Sequence, residues 1–301
     1  GVERTSKVIN SLKGGFGGAF ELDGLDGKDN GYISGVSTPV EYGESEIDVT
    51  VLRYALRRDS GGPGRWRGGL GRELVFRIDS DGSNVLARGL ERFVFRPWGV
   101  AGGKPAAPSE LVVNEGRPDE ARYQKIDMLE LSRGDTVTVR VPGGGGYGDP
   151  FLRDPEEVLV DVRQDLVSIE SARTDYGVVF VAGNGPVEID LPATVALRAS
   201  TARRPAELDG RVTYDVGDER RAWEAVFSPA WYERFVATLF GLPPAERTPR
   251  RATLFDAVLA VLPAGFPLPG GTERERQDAA AVAERLLAQL EADLAARTAS
   301  A

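Results

Sequence analysis

The sequence contains neither cysteine nor histidine among its 301 residues. Without cysteine, the chain has no disulfide, no thiolate zinc site, no iron–sulfur cluster and no cysteine nucleophile. Histidine is the commonest metal ligand and the commonest general base near neutral pH, so an active site within this chain has only carboxylates, Lys, Tyr or Ser to use. Two interpretations stay open: compositional drift, or catalytic residues that lie on another chain.

Long apolar runs and basic blocks are missing as well. No apolar stretch approaches the roughly 20 residues that cross a bilayer, and no signal peptide is recognisable. The net charge of -9 and the sequence pI of about 4.9 disfavour binding to phosphate backbones and anionic lipids. We therefore expect a cytoplasmic, soluble globular protein that binds neither nucleic acid nor membranes.

The composition that is present changes along the chain and predicts four segments. Residues 1–35 are rich in glycine and acidic residues but poor in core residues, which predicts a loop segment that packs on a missing partner. Residues 36–150 are predicted to form a β-rich domain, 151–204 a helix-strand-helix cap and 205–301 an α-helical tail. The predicted fold class is mainly β, a sandwich or barrel of short antiparallel strands, followed by an α-helical C-terminal region, and α+β overall.

Short segments with apolar alternation, separated by Gly- and Pro-rich turns, predict the strands. The clearest is Thr136–Val141, in which polar and apolar residues alternate strictly. The predicted strands are Ile47–Leu56, Glu73–Ile78, Asn84–Ala87, Arg92–Phe95, Glu110–Val113, Met128–Leu131 and Asp135–Val141, followed by a pair made of Val178–Val181 and Val187–Ile189.

Capping residues predict the helices. Asp154 stands before Pro155 as an N-cap, and Ser168 caps a second helix that Gly177 ends. Further helices are predicted to open at Asp190, at Ser228, at Thr248 and near residue 272. The near-heptad spacing in the last one fits either docking on its own domain or a partner helix.

The most prominent motif is the glycine run Gly143, Gly144, Gly145 and Gly146, followed by Tyr147. Consecutive glycines form an anion-binding nest in some proteins and a turn in close approach to a neighbouring backbone in others. A second glycine-rich connection carries Arg65, which is predicted either to contact a phosphate or carboxylate or to stack on Trp66.

Clustered acids form the third candidate site. Glu41 follows Thr38 and precedes Glu44 and Glu46, while Asp23 and Asp26 lie in the opening segment. Paired carboxylates bind Mg²⁺ or Mn²⁺ or share a proton, and the alternative is a solvated acidic loop. Because the chain has no histidine, we expect no complete transition-metal site within it.

Six runs of residues, in this order, resemble the C-terminal half of hydantoinase B family proteins. They are Ser37–Glu41, Tyr54–Gly71, Arg96–Gly103, Leu131–Asp135, Pro142–Pro150 and Asp161–Val179. The resemblance covers about residues 14–200, and the last two runs are its most specific part. The tail after residue 205 shares only its helical character with the tails of some of these proteins.

This resemblance implies one part of a multi-subunit, ATP-dependent enzyme that opens cyclic amides (hydantoin, oxoproline, lactam) or carboxylates ketones. A hydantoinase A-like subunit would handle ATP with Mg²⁺. A divalent metal, Zn or Mn, would be held by the N-terminal half of the B-type subunit, which this sequence lacks. The implied assembly is a hetero-oligomer, and the isolated chain is expected to be inactive.

No catalytic residue is assigned at this stage. Thr38, Glu41, Arg65 and the run Gly143–Tyr147 are the candidates to face a shared site or interface. Two alternatives stay open: a non-catalytic β-scaffold whose helical tail mediates assembly, and a free-standing carboxylate enzyme that uses Glu41 with Asp23 or Asp26. The substrate, and the choice between amide opening and carboxylation, also stay open.

Overall fold

A computed structural model describes residues 12–28, 39–87, 91–124, 126–181, 186–202 and 205–299. The chain divides into two compact units, Gly1–Val216 and Gly217–Ala301. Unit 1 holds the strands and four of the helices, and unit 2 is helical. In the part of the chain that the structure describes, no helix is both long enough and apolar enough to cross a membrane.

The larger sheet of unit 1 is antiparallel, and its strands follow one another in the order β1-β2-β8-β5-β6. Smaller pairs join β3 with β7, β4 with β11 and β9 with β10. The strands are β1 Val49–Leu56, β2 Arg72–Ile78, β3 Ser83–Ala87, β4 Gly99–Val100, β5 Glu110–Val113, β6 Ala121–Tyr123, β7 Ile126–Leu131, β8 Thr136–Arg140, β9 Glu207–Leu208, β10 Arg211–Val212 and β11 Tyr214–Asp215.

The β core lies between the five-stranded sheet and the β3-β7 pair. Strict alternation along β8 sends Val137 and Val139 into this core, where they meet Leu74 and Phe76 of β2. Leu131 of β7 is buried in the same cluster. The sheet ends at β1 and β6, so the α+β class with antiparallel strands is confirmed, whereas closure into a barrel does not occur.

The opposite face of the sheet carries a ladder of charges across neighbouring strands. Arg140 on β8 pairs with Glu73 on β2 (2.7 Å) and with Glu110 on β5 (3.1 Å). Glu110 also binds Arg57 just beyond β1. These opposite charges face one another across antiparallel strands, which supports the observed register.

Helices follow the sheet in unit 1. They are α1 Val40–Glu46, α2 Pro155–Arg163, α3 Ile169–Tyr176 and α4 Leu191–Ser200, with a 3₁₀ turn at Pro150–Leu152. The predicted caps are confirmed: Asp154, Ser168 and Asp190 accept backbone N–H groups of their helices. Gly177 ends α3 at a φ of +63°, a conformation that favours glycine.

Unit 2 contains four helices packed around an aromatic core. They are α5 Asp218–Val226, α6 Pro229–Gly241, α7 Pro244–Leu259 and α8 Glu273–Ala299. Phe235 stacks on Trp231 with ring centroids 4.9 Å apart. Ala283 and Leu287 of α8 are buried against this core, so α8 docks within its own unit.

Two local predictions, the strand at Arg92–Phe95 and the start of the helix at Thr248, are wrong. Arg92–Phe95 is irregular because Arg92 has a φ of +64°, which a strand does not accommodate. The predicted pair of Val178–Val181 with Val187–Ile189 forms as a short antiparallel bridge: Phe180 pairs with Ile189, and Val181 N–H donates to Glu188 O at 2.9 Å. The turn predicted at residues 184–185 lies outside the described residues. Helix α7 begins at Pro244, before the predicted Thr248, because Pro244 offers an earlier start signal.

Candidate functional site

Five glycine-rich segments of unit 1 lie side by side, and we call them the glycine layer: residues 14–18, 60–64, 67–71, 98–104 and 142–148. Gly143 to Gly146 are buried at its centre. Backbone hydrogen bonds join them to the other four segments: Gly144 N–H to Gly69 O (2.9 Å), Gly62 N–H to Gly144 O (2.8 Å), Gly18 N–H to Gly145 O (2.9 Å) and Gly146 N–H to Lys104 O (3.0 Å). One run of glycines thus connects segments far apart in sequence.

The neighbouring backbones leave no room for side chains in this run. A Cβ atom on Gly144 would lie 1.9 Å from the carbonyl oxygen of Phe16, and one on Gly145 would lie 1.8 Å from that of Trp98. Since the amides of Gly144 and Gly146 donate to carbonyl groups, they are not presented to an anion. The structure therefore shows close approach of backbones here rather than an anion nest.

Arg65 and Tyr147 meet at one edge of the glycine layer. Trp66 and Tyr147 exchange two backbone hydrogen bonds of 3.0 Å, and their ring centroids are 5.7 Å apart. Cζ of Arg65 lies 4.7 Å from the centroid of the Trp66 ring, and the Phe20 ring lies 5.2 Å from it. We call Phe20, Arg65, Trp66 and Tyr147 the aromatic patch.

The predicted acidic candidates are not part of this patch. Glu41 is exposed on α1, which packs against β1, so this acidic segment is a helix rather than the predicted loop. On the same helix, Glu44 accepts the N–H of Val51 at 2.7 Å. Thr38 lies outside the described residues.

Asp23 and Asp26, both partly exposed, take part in a charge network that we call the ionic hub, together with the buried Arg67, Arg153 and Asp161. The two terminal guanidinium nitrogens of Arg153, Nη1 and Nη2, donate to Asp23 at 2.8 Å, and Nη2 also donates to Asp161 at 2.9 Å. Arg67 donates to Asp26 at 2.9 Å and lies 3.5 Å from Asp161. The solvated loop expected for these two acids is therefore wrong.

The backbone of the glycine layer is tied into the same network. Asp23 accepts the N–H of Arg67 at 2.6 Å, and Asp26 accepts the N–H of Leu70 at 2.7 Å. Residues 12–28 thus lie against their own chain on this side. That a partner covers the remaining surface of the segment stays a prediction.

Electrostatics in the hub keep both arginines charged. Burial works against the charge of Arg153, but its hydrogen bonds to Asp23 and the charge of Asp161 hold its pKa above the usual range. Burial raises the pKa of Asp161, and the guanidinium groups of Arg153 and Arg67 oppose that shift. Burial also raises the pKa of Tyr176, so it is not an ionised base.

Among the described residues, no group of three or more acidic side chains is placed to hold a metal ion. Asp23, Asp26 and Asp161 already serve as acceptors for guanidinium groups. A divalent cation at this point would meet two buried arginines, which is the wrong charge environment for it. The hub therefore does not fit a metal.

Sequence reasoning missed Arg153, Asp161 and Phe20. A signal for Asp161 was available, because it occurs on α2 between Val158 and Val162, on the apolar stripe that the helix buries. An acid on such a stripe requires a cationic partner. Nothing local to the sequence indicates that this partner is Arg67 or Arg153.

A family model for hydantoinase B/oxoprolinase matches residues 2–150, the range that contains the glycine layer and the aromatic patch. Residues 2–150 belong to the hydantoinase B/oxoprolinase family. The resemblance is thereby confirmed for the five sequence runs that lie within this range.

Relatives of this chain extend the match beyond residue 150. An uncharacterized protein of Methanocaldococcus jannaschii is 39% identical over 62% of this chain and 33% of its own length. The B component of a putative D-/L-hydantoinase from a Pseudomonas species is 34% identical over 63% of this chain and 32% of its own length. The beta component of the caprolactamase from Pseudomonas jessenii is 38% identical over 55% of this chain and 28% of its own length. The chain spans about a third of the length of these relatives.

Solved structures show the same fold. The match to the ATP-dependent caprolactamase from Pseudomonas jessenii covers 63% of this chain and 33% of the caprolactamase chain, at 32% identity and a TM-score of 0.52. The match to nucleotide-free acetone carboxylase covers 62% of this chain and 29% of the carboxylase chain, at 23% identity and a TM-score of 0.53. The second likeness concerns the fold alone.

Proposed function

We propose that this chain is the C-terminal part of a hydantoinase B-type subunit in a multi-subunit, ATP-dependent enzyme that hydrolyses cyclic amides or carboxylates ketones. The chain supplies a rigid framework, and the reactive groups come from other parts of the assembly. One observation carries this proposal: Asp23 and Asp26, the acids placed against the glycine layer, are neutralised by Arg153 and Arg67. They are therefore not free to act as general bases.

The names of the relatives support the reaction class. One is a component of a putative hydantoinase, one is a component of a caprolactamase, and the related caprolactamase structure is described as ATP-dependent. Hydantoin and caprolactam are both cyclic amides, so ring opening is favoured. Carboxylation of a ketone is the second candidate.

Metal and nucleotide belong to other parts of the proposed assembly. The chain contains no imidazole or thiol, and its hub acids bind arginines, so the divalent metal would be held by the N-terminal half of the B-type subunit. A hydantoinase A-like subunit would bind ATP and Mg²⁺. The assembly would be a cytoplasmic hetero-oligomer.

Reconstitution tests this proposal. The chain is combined with a hydantoinase A-like subunit and the N-terminal part of a B-type subunit, and ATP hydrolysis is measured with hydantoin, 5-oxoproline, caprolactam and acetone. We expect turnover that depends on all three components and no turnover by the 301-residue chain alone. Activity of the purified chain by itself, abolished by Glu41→Gln, would support a free-standing carboxylate enzyme instead.

A further inference from the structure

A tight turn at the start of the described chain presents an exposed aromatic ring. Ala19 and Leu22 exchange two backbone hydrogen bonds of 2.9 and 3.1 Å around Phe20 and Glu21. Glu21 has a φ of +61°, a strained value for a residue other than glycine. At this turn Phe20 is 66% exposed and Leu22 is 60% exposed. The fold thus holds two large apolar side chains in contact with solvent.

The backbone behind these side chains is fixed. Gly18, next to the turn, donates to Gly145 in the centre of the glycine layer. Trp66, on which the Phe20 ring rests, exchanges two hydrogen bonds with Tyr147. Gly148, beside the ring, has a φ of +75°, which favours glycine, and a Cβ atom there would lie 3.1 Å from Cβ of Arg65.

The composition of the patch matches the centres of protein interfaces. Trp, Tyr and Arg dominate the few residues that carry most of the binding energy, and preorganisation lowers the entropic cost of association. Phe16 and Leu25, from the same opening segment, are exposed as well. An exposed apolar cluster held on a rigid backbone is typical of a docking surface.

We infer that the aromatic patch is the docking surface for the part of a full-length B-type subunit that this chain does not contain. The inference rests on the proposed function and identifies the contact surface. The patch lies within residues 2–150, which belong to the family, and the matched relatives are about three times longer than the matched region. The rest of such a subunit is therefore the polypeptide available to cover this patch.

The chemistry of the patch specifies what it receives. The rings of Phe20 and Trp66 accept an apolar side chain, and the exposed guanidinium of Arg65 accepts a carboxylate beside it. A second copy of this chain is a poorer occupant. In a symmetric pairing through the patch, Arg65 would face its own copy, and both chains would carry a net charge of -9.

Binding to a related polypeptide tests the docking surface. The binding partner in the test is the part of the Pseudomonas jessenii caprolactamase beta component that this chain does not match. This polypeptide and the full 301-residue chain are purified separately, and their affinity is measured by titration. We expect Phe20→Ala to weaken binding at least about 10-fold, as for an interface hot spot, and Arg65→Glu to weaken it further. Phe240→Ala is the matched control, because Phe240 is 68% exposed in unit 2 and should leave binding unchanged.

Three results would overturn the inference. In the first, the wild-type chain and Phe20→Ala bind equally well with identical circular dichroism spectra; the patch is then refuted and the proposed function stands. In the second, sedimentation shows a wild-type dimer that Phe20→Ala dissociates, so the occupant is a second copy. In the third, the wild-type chain does not bind at all, and the ATP-turnover assay alone then decides the proposed function.

Discussion

Two regions of this chain, the glycine layer of unit 1 and the helical core of unit 2, are stabilised in opposite ways. In unit 1 the glycine layer brings backbones together so closely that a single methyl group on Gly144 or Gly145 has no space. In unit 2 the core consists of stacked aromatic rings, such as Phe235 on Trp231, and of Leu287 from α8. Stability in the layer comes from backbone hydrogen bonds and close contact, whereas in the helical unit it comes from buried apolar surface.

This difference determines how each of the two regions responds to substitution. Adding atoms should disrupt the glycine layer, while removing atoms should disrupt the helical core. The close packing also bears on function, because the backbone of the glycine layer supports the aromatic patch and the ionic hub without relying on flexible side chains. A rigid support is what a docking surface or a shared active site requires.

The strongest test of the comparison adds one methyl group to the layer. Gly145→Ala places a Cβ atom 1.8 Å from the carbonyl oxygen of Trp98. Backbone must move, so we expect a loss of about 4–5 kcal/mol in the free energy of unfolding of unit 1, at the upper end of single-substitution effects. Urea unfolding with hydrogen exchange of the layer amides measures it.

A glycine on a helix provides the control for that change. Gly43 lies within α1, and a Cβ atom built there meets nothing within 4 Å. Gly43→Ala should be neutral or stabilising by up to about 1 kcal/mol, since alanine favours the helix. Equal effects of the two substitutions would contradict the close-packing account of the layer.

The complementary test removes atoms from unit 2. Phe235→Ala opens a cavity at a ring that is 1% exposed, and we expect a loss of about 3–4 kcal/mol from the stability of that unit. Phe240→Ala on the same helix should change stability by less than about 0.5 kcal/mol because its ring is exposed. Thermal unfolding followed by circular dichroism compares the two variants, and similar midpoints would refute the assigned core.

The third test concerns the ionic hub. Asp161→Asn removes the carboxylate shared by Arg153 and Arg67, which leaves buried positive charge less compensated, so we expect a loss of about 3 kcal/mol. Asp154→Asn on the same helix is the control, because asparagine caps a helix as well as aspartate does. Denaturant midpoints report both values, and a stable Asp161→Asn would show that the hub contributes little.

Sequence reasoning succeeded where the determining signal is local. The alternation along β8 and the caps Asp154, Ser168 and Asp190 need only a few neighbouring residues, and all of them hold in the structure. It failed at Arg92–Phe95, where a positive φ, invisible in an apolar pattern, breaks the strand.

The site was harder to predict than the elements around it. Glycines carry no side-chain pattern, so nothing in the sequence pairs Gly144 with Gly69 or Gly18 with Gly145. The contact between Asp23 and Arg153 joins residues 130 positions apart. Arg65, Trp66 and Tyr147 were singled out in separate motifs, but their meeting at one edge follows only from the fold.

The smallest expected effect concerns Asp135, an acid next to strand β8 that is not part of the ionic hub. The side-chain amide of Asn114 and the N–H of Ser132 bind Asp135 and hold the pKa of its carboxyl below the usual range. Its stabilising contribution is therefore complete above the unfolded pKa of about 3.9 and is lost as the pH falls through the lower folded pKa.

Asp135→Asn should remove this part of the acid dependence and cost about 1 kcal/mol at pH 7. The measurement is the free energy of unfolding between pH 2 and pH 7, and its slope against pH reports the acid dependence. Asp278→Asn, at an exposed position on α8, should leave the slope of the wild-type chain intact. If Asp135→Asn also leaves it intact, acid sensitivity arises elsewhere, and the ladder and the hub become the next groups to examine.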